Sequence, residues 1–230
     1  MSIRLPVSII AAFLSLPVLA DTIAIIGTGD VGQALGPAFA KQGHTIVYGS
    51  RDPERGKVRD LVERTGDGSS ATTPAAAVVG ADMVVLAVPG MLVEEITLGL
   101  GDLSGKIIID PTNPLQRKLN RLEHGVATSN AQIIQSAAPD AHVVKAFNTL
   151  NWKTMVDPSS AGGPVSIPLA GDSGTAKKKV AELVTGMGLE PIDVGPVEDA
   201  RWVEGMLILW INNRYGSMRD SFDFYLRKNN

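Results

Sequence analysis

Three glycines, Gly27, Gly29 and Gly32, have the spacing G-x-G-x-x-G near the start of the 230-residue chain. An apolar run, residues 23–26, precedes them, and residues 33–42 are compatible with a helix. In this context the first glycine permits a tight turn, the second admits a diphosphate close to the backbone, and the third lets the helix pack on the strand. Free N–H groups at the helix start then face an anion. The pattern predicts a dinucleotide site; the alternative is a glycine-rich turn of another α/β fold.

The end of the second predicted strand, residues 44–48, indicates which dinucleotide binds. It leads into Ser50 and Arg51, and no acidic residue stands at the tip, where NAD sites usually have Asp or Glu for the ribose 2′-hydroxyl. A hydroxyl and a guanidinium suit a 2′-phosphate, because arginine binds phosphate through paired, charge-assisted hydrogen bonds. Arg55 adds a second positive charge. We therefore predict NADP rather than NAD; the alternatives are Asp52 as the ribose acid or as a partner of Arg51, and a solvated turn.

The composition excludes several other kinds of site. The chain has no cysteine, which excludes disulfides, thiol catalysis and cysteine-ligated metals. Its three histidines, His44, His124 and His142, stand at unrelated spacings, so we predict no metal site. The net charge of −3 gives no reason to expect nucleic acid as a partner. No nucleophile–base pair is evident, and we predict no catalytic residue.

Apolar runs alternate with helix-compatible segments, which is typical of a parallel sheet with helices on both faces. The continuous apolar run 83–88 reads as a central strand. We predict an α/β fold with a Rossmann-type, doubly wound, mainly parallel sheet. Ligands of such sheets lie beyond the carboxyl ends of the strands, so the strand tips are expected to converge on one crevice. The tips are residues 27–32, 50–51, 88–90, 110–113 and 146–149.

We predict that residues 21–150 form an NADP-binding domain and that residues 151–230 form a smaller C-terminal αβ/helical unit completing the active-site crevice. The last helix, residues 197–212, has more apolar side chains than one core-facing stripe needs. Three interpretations of this excess are open: the helix covers the crevice, it makes a homodimer contact, or it is buried in this chain's own core. Two charged segments are read as solvated surface, with a position beside the crevice as the alternative. They are residues 116–125 and the start of the last helix, with Glu198, Asp199, Arg201 and Glu204.

Residues 1–20 are predicted to be a signal peptide. Arg4 precedes an apolar stretch, residues 5–16, and the small Ala20 before Asp21 marks a cleavage point. The stretch is too short to span a bilayer comfortably, and we predict no membrane span in the mature chain. The protein is therefore predicted to be periplasmic or secreted, with a cytoplasmic protein that keeps its leader as the alternative.

Several segments together resemble a known family. They are IAIIGTGDVG, VYGSRDP, VVLAVP, VVKAFNT, PLAGD and DVGPVEDARWVEGM. Across residues 22–210 the chain is similar to the coenzyme F420-dependent (deazaflavin-dependent) NADP reductases. Around residues 144–149 it is also similar to the NADP-binding oxidoreductase domain of the six-transmembrane ferric reductases.

The resemblance implies that four groups of residues lie along one bound NADP. They are Thr28, Gly29, Asp30 and Val31 at the diphosphate; Ser50, Arg51 and Arg55 at the 2′-phosphate; Val88, Pro89 and Gly90 at the adenosine side or the middle; and Ala146 and Asn148 near the nicotinamide. Some family members have a bulky residue in place of Gly90, so this wall of the pocket is expected to be open.

Hydride transfer between a nicotinamide and a flavin-like ring needs little from side chains, because the cofactors carry the chemistry. We predict an NADP(H)-dependent oxidoreductase that transfers hydride to or from a small-molecule redox acceptor, a flavin or a deazaflavin such as coenzyme F420. The first alternative is a non-catalytic NADP-binding sensor or partner subunit. The second is a dehydrogenase of a small hydroxy acid or imine, in which Lys145 would be the proton donor.

Overall fold

The computed structural model describes residues 20–118, 121–215, 222 and 224–229. The predicted signal peptide, apart from Ala20, lies outside the described residues. Within them, no helix is both long and apolar enough to cross a membrane.

Within the described residues, ten strands form one large sheet and one hairpin. The eight strands of the sheet are β1 (Thr22–Ile26), β2 (Thr45–Gly49), β3 (Ser70–Thr72), β4 (Met83–Leu86), β5 (Ile107–Asp110), β8 (His142–Lys145), β9 (Ser166–Ala170) and β10 (Glu190–Gly195). The hairpin consists of β6 (Leu115–Lys118) and β7 (Arg121–His124), which pair antiparallel.

The strand order of the sheet confirms the predicted fold class. The order is β10-β9-β8-β5-β4-β1-β2-β3, and every pairing from β3 to β8 is parallel. Without the hairpin strands, β3-β2-β1-β4-β5-β8 has the order 3-2-1-4-5-6 of dinucleotide-binding sheets. A single antiparallel pair, Lys145 with Ala170, joins β9 to β8, and β10 continues in parallel. The C-terminal strands therefore extend the same sheet.

In the part of the chain that the structure describes, eight α-helices accompany these strands. They are α1 (Asp30–Ala40), α2 (Gly56–Thr65), α3 (Pro74–Ala77), α4 (Val93–Leu98), α5 (Asn130–Ala137), α6 (Trp152–Val156), α7 (Gly174–Gly186) and α8 (Ala200–Tyr215). Short 3-10 turns occupy Gly90–Leu92, Pro158–Ala161 and Val197–Asp199. Ser129 and Ser173 cap α5 and α7, where their side chains accept hydrogen bonds from backbone N–H groups of the first turn.

Helices cover both faces of the sheet, so alternate residues of each strand enter two different cores. Ile23 and Ile25 of β1 pack in one core with Phe39 of α1, while Ala24 and Ile26 pack in the other. All four residues of β4 are buried, as the unbroken apolar run predicted. The carboxyl ends of the parallel strands consequently meet at one edge of the sheet.

Residues 116–125 were predicted to be solvated surface, but the structure places most of them in the β6–β7 hairpin. Asn212 of α8 holds this hairpin: its Oδ1 accepts from Leu122 N at 2.8 Å and its Nδ2 donates to Leu122 O at 2.6 Å. Arg117 is exposed, in agreement with a solvated segment. A hairpin this short is not stable alone, so the sequence pattern gave little indication of it.

Candidate functional site

A crevice of about 920 Å³ runs over the carboxyl ends of β1, β2 and β4. Its walls include eight of the residues predicted to contact NADP. These are Gly27, Thr28, Gly29, Ser50, Arg51, Arg55, Val88 and Pro89. The predictions did not include the other side chains of the lining, among them Pro74, Leu92, Glu95 and Ile96. These side chains come from α3, the 3-10 turn and α4, whose approach to β2 depends on the tertiary fold.

The glycine turn is shaped by close backbone contacts. Gly27 has φ of +104°, and a Cβ on it would lie 2.2 Å from the carbonyl oxygen of Ala87. A Cβ on Gly32 would lie 2.2 Å from the carbonyl oxygen of Gly27. By contrast, no atom lies within 4 Å of the Cβ position of Gly29, so this residue faces open space. The turn therefore leaves a bare backbone surface toward the crevice.

Helix α1 begins directly after this bare surface. Asp30, Val31 and Gly32 form its first turn, and Gly29 at the N-cap position offers no side-chain cap. The first N–H groups of a helix lack intrahelical partners, and the helix dipole adds positive potential there. The start of α1 can therefore bind a diphosphate, as the glycine spacing predicted.

The tip of β2 is a turn built around Ser50. Its Oγ donates to the carbonyl oxygen of Asp52 at 3.1 Å and accepts from Asp52 N at 3.2 Å. This turn leaves Arg51 exposed in the crevice, and Arg55 is exposed there at the N-cap position of α2. Among the described residues, neither guanidinium has an ion-pair partner, and Asp52 does not pair with Arg51. The crevice thus has two cationic groups available to an anionic ligand.

Gly90, Ala146 and Asn148 lie outside the lining of this crevice, toward the tips of β5 and β8. Ala146 is fully buried, and its N–H donates to Asp110 O at 3.1 Å. The expected open wall at Gly90 is wrong. A Cβ there would lie 1.9 Å from the carbonyl oxygen of Asn113, so the loop after β5 occupies that space.

The tip of β8 has an unusual backbone and unpaired polar atoms. Phe147 has φ of 63°, is fully buried and packs against Phe39 with ring centroids 6.0 Å apart. A left-handed conformation costs a non-glycine residue roughly 1–2 kcal/mol, so the surrounding packing must hold it. Next to it, Asn148 Oδ1 and Thr149 Oγ1 are buried without a hydrogen-bond partner among the described atoms.

A buried charge cluster, defined here as Asp110, Lys145, Glu204 and His124, lies beneath these tips. Lys145 Nζ lies 2.5 Å from Asp110 Oδ2 and 2.7 Å from Glu204 Oε1, and it donates to Thr112 O at 2.8 Å. Asp110, Lys145 and Glu204 are fully buried. The solvated position predicted for Glu204 is therefore wrong. The only indication of this cluster in the sequence was that Asp110 and Lys145 stand at the ends of two apolar strands.

The other charged residues near the start of the last helix behave differently. Glu198 and Arg201 are exposed, as predicted for a solvated turn, and Arg201 does not line the crevice. The apolar residues of α8 divide into two groups. Val203 and Leu207 are buried in this chain's core, whereas Trp202 is 70% and Leu209 50% exposed.

Comparisons with known proteins agree with this geometry. The sequence profile of the family described as "NADP oxidoreductase coenzyme F420-dependent" matches residues 22–114. The F420-dependent NADP reductase of Methanothermobacter thermautotrophicus is 30% identical over 214 residues, covering 85% of this chain and 90% of the relative. The chain belongs to this family. The resemblance found in the sequence is thereby confirmed, and the family is one of NADP-dependent oxidoreductases.

Two further relatives of this F420-dependent reductase family member are informative. The crystal structure of a candidate F420-dependent NADP reductase from Arthrobacter sp. FB24 matches with a TM-score of 0.78 and 33% identity, covering 84% of this chain and 93% of that one. Rat metalloreductase STEAP3 is 31% identical over 193 residues, which are 83% of this chain. The chain spans 37% of the length of that metalloreductase, so only part of the relative is compared.

Proposed function

We propose that this member of the F420-dependent reductase family binds NADP(H) in the crevice and passes hydride between its nicotinamide and a flavin- or deazaflavin-type ring. The observation that carries the proposal is the placement of two different binding elements in one cavity. The bare glycine turn at the start of α1 and the unpaired guanidiniums of Arg51 and Arg55 line the same walls.

The residues present fit the dinucleotide at each of its charged parts. The start of α1 receives the diphosphate through backbone N–H groups, and the open space at Gly29 admits it. Arg51, Arg55 and the Ser50 hydroxyl bind the 2′-phosphate at the tip of β2. Since the adenosine half then lies over β1 and β2, the nicotinamide half extends over β4, β5 and β8. At that end Asn148 and Thr149, at the tip of β8, are the polar side chains proposed to lie near its carboxamide.

The side chains have a limited part in such a reaction. The bound nicotinamide supplies the hydride-transfer chemistry. The chain fixes the dinucleotide at its two anionic groups, which leaves the ring at a defined distance from them. The tip of β8, where Ala146 and Phe147 are fully buried, and the loop at Asn113 are the elements proposed to lie behind the ring.

The structure disfavours Lys145 as a proton donor, and with it a dehydrogenase of a small hydroxy acid or imine. Lys145 is fully buried, and three acceptors lie around its ammonium: Asp110 Oδ2, Glu204 Oε1 and Thr112 O. One N–H donates to Thr112 O, and the two carboxylates hold the charge of the ammonium inside the protein. A substrate in the crevice would have to break this cluster to receive a proton.

A stopped-flow experiment separates the oxidoreductase from a non-catalytic NADP-binding subunit. The purified protein is loaded with NADPH and mixed in turn with FMN and with a deazaflavin, while absorbance at 340 nm is followed. We expect oxidation of NADPH with one of these rings, faster than in a mixture without protein. Persistent NADPH absorbance with every ring, together with tight NADPH binding in calorimetry, would instead support a sensor or partner subunit.

We also propose that the mature protein is exported and begins at Asp21. The proposal rests on the apolar leader, residues 5–16, and on the small residue at the predicted cleavage point. N-terminal sequencing of protein isolated from its native cells is expected to begin at Asp21. An intact Met1 in a cytoplasmic fraction would contradict export.

We further propose a homodimer through α8. Trp202 and Leu209, two turns apart on this helix, leave large apolar side chains exposed. Sedimentation equilibrium is expected to give twice the chain mass, and the double substitution W202S/L209S is expected to yield monomers with unchanged far-ultraviolet circular dichroism. A monomeric wild-type protein at micromolar concentration would refute this contact.

A further inference from the structure

The geometry of His124 indicates an additional proton in the buried charge cluster. Its Nδ1 lies 2.9 Å from the carbonyl oxygen of Val126, and its Nε2 lies 2.9 Å from Glu204 Oε2. A carbonyl oxygen can only accept, so Nδ1 carries a hydrogen. The second contact also needs a hydrogen between its two atoms, since a bare ring nitrogen facing a carboxylate is repulsive. One proton is therefore shared between His124 and Glu204, beyond those of a neutral ring and an ionised carboxylate.

This proton makes the charge cluster electrically neutral. Asp110 contributes −1 and Lys145 contributes +1, while Glu204 and His124 with their shared proton sum to zero. Without the proton the cluster has a net charge of −1, although Asp110, Lys145 and Glu204 are fully buried. An uncompensated buried charge is strongly destabilising, whereas a neutral cluster whose charged members pair with one another is tolerated. His124, whose side chain is 18% exposed, is the member through which solvent can exchange the proton.

Glu204 also connects α8 to the surface on which the nicotinamide is expected to lie. Its Oε1 accepts from Asn130 N at 2.8 Å, and Asn130 Nδ2 donates to Gly90 O at 2.9 Å and to Thr112 Oγ1 at 2.7 Å. Thr112 in turn donates from N and Oγ1 to Asp110 Oδ1 at 2.8 and 2.6 Å. The same carboxylate therefore holds the end of β8 through Lys145 and the rim after Pro89 through Asn130.

We propose that Glu204, in the neutral cluster that it forms with His124, Lys145 and Asp110, is a positioning residue for the nicotinamide end of the crevice. The inference rests on the proposed function. Where a substitution leaves the cluster with a net negative charge, repulsion between the two carboxylates loosens α8 from the tips of β5 and β8, and the β8 tip with Asn148 loses its fixed position. The adenosine end does not depend on the cluster, because its ligands come from β1, α1, β2 and α2.

Few other charged groups near Glu204 could neutralise the cluster in place of this proton. Among the described residues, the charged or titratable side chains in contact with it are Lys145 of β8 and His124 of β7. Asp110 of β5 reaches it through Lys145. Helix α5 and strand β9, which also pack on α8, have no charged residue. In the preceding 3-10 turn Glu198 is exposed, and Asp199 faces Gly195; Arg201 of α8 is exposed.

Glu204→Gln is the conservative variant, because it is isosteric and keeps the cluster neutral without the shared proton. The amide oxygen can still accept from Lys145 and from Asn130 N, and the amide nitrogen can donate to Nε2 of a neutral His124. His124→Gln has the opposite effect: it leaves two carboxylates against Lys145 without the shared proton. The double variant H124Q/E204Q is neutral again and serves as the rescue.

The measurement compares two probes, of which only NADPH reaches the nicotinamide end. The dissociation constants of NADPH and of 2′,5′-ADP are determined by calorimetry at one pH for the wild type, E204Q, H124Q and H124Q/E204Q. The change in the ratio of the two constants from one variant to the next isolates the nicotinamide end, since at a fixed pH the ionisation of each ligand is the same for every variant. Far-ultraviolet circular dichroism and thermal melting establish that each variant is folded.

For H124Q we expect NADPH to lose about tenfold in affinity relative to 2′,5′-ADP, as for one buried charged hydrogen bond. For E204Q the ratio is expected to equal that of the wild type, and the double variant H124Q/E204Q is expected to recover it. Should H124Q not fold, E204A replaces it, because it removes the contacts of Glu204 with Lys145 and Asn130 and is expected to cause the same relative loss. A wild-type ratio in H124Q or, failing that, in E204A would overturn the positioning role. A failure of every protein to bind 2′,5′-ADP would overturn the proposed NADP site and this inference with it.

Discussion

Replacement of Arg51 by alanine is expected to reduce the preference for NADPH over NADH without affecting the fold. The Arg51 side chain is exposed in the crevice and has no ion-pair partner among the described residues. Its removal therefore breaks no interaction within the protein, and the change acts on the ligand alone. This separates the substitution from core mutations, in which binding and stability change together.

The expected magnitude follows from the chemistry of a guanidinium and a phosphate. A charge-assisted hydrogen bond contributes about 1.5–3 kcal/mol, which corresponds to roughly a ten- to 150-fold change in dissociation constant. Because Arg51 is exposed, solvent screening favours the lower part of this range. Arg55 remains in the variant, so we expect residual selectivity that disappears in the double variant R51A/R55A. The salt dependence of NADPH binding should fall in the same order.

Fluorescence titrations with NADPH and NADH, each at two salt concentrations, test this prediction. Arg117→Ala is the matched control, because Arg117 is also an exposed arginine but lies on β6, away from the crevice. Recognition of the 2′-phosphate by Arg51 is refuted if Arg51→Ala weakens the binding of both dinucleotides equally, since the loss would then not concern the 2′-phosphate. It is also refuted if Arg117→Ala produces the same loss, because the effect would then reflect overall charge.

Three further substitutions test other parts of the structure. Gly29→Ala is expected to weaken NADPH binding at least about tenfold in titrations while leaving Tm nearly unchanged, because its methyl group enters space that is open in the protein but needed by the diphosphate. Gly36→Ala is expected to cost about 1–3 kcal/mol in urea unfolding, since its Cβ would lie 1.8 Å from Tyr48 Oη and must overpack the core. Burial raises the pKa of Tyr48 to about 12 from 10.0, so between these pH values the unfolded chain ionises and the folded one does not. Stability present below pH 10 is therefore lost toward pH 12, by about 2–3 kcal/mol, and Tyr48→Phe should lack this part of the loss when unfolding is measured at pH 9 and pH 11.5.

The adenosine half of the crevice could be predicted from the sequence because its determinants are local. Gly27, Gly29 and Gly32 act within one turn, and their spacing alone specifies the close contacts that the structure shows. Ser50 and Arg51 follow directly from the end of β2, whose position the apolar pattern fixed. The strand order was equally accessible, since alternating strands and helices leave few other topologies.

The hairpin and the charge cluster could not be predicted, because they depend on contacts between distant parts of the chain. The hairpin is held by Asn212, from a helix almost at the end of the described residues. Glu204 lies on a helix whose neighbouring residues, such as Arg201, are solvated, and only the folded chain shows that one carboxylate turns inward. The partners of charged residues at the ends of apolar strands, such as Asp110 and Lys145, cannot be identified from the sequence.

This division of the crevice explains why the cofactor can be inferred more directly than the acceptor. The 2′-phosphate is recognised by side chains adjacent to the strand that presents them, so a short segment specifies it. The nicotinamide end is assembled from β5, β8, α5 and α8, and its shape depends on how the charge cluster holds these elements together. Whatever ring receives the hydride must stack in that assembled space, so its selection depends on tertiary contacts. Substitutions in the cluster should therefore alter the choice of acceptor, while those at Arg51 should alter only the choice of dinucleotide.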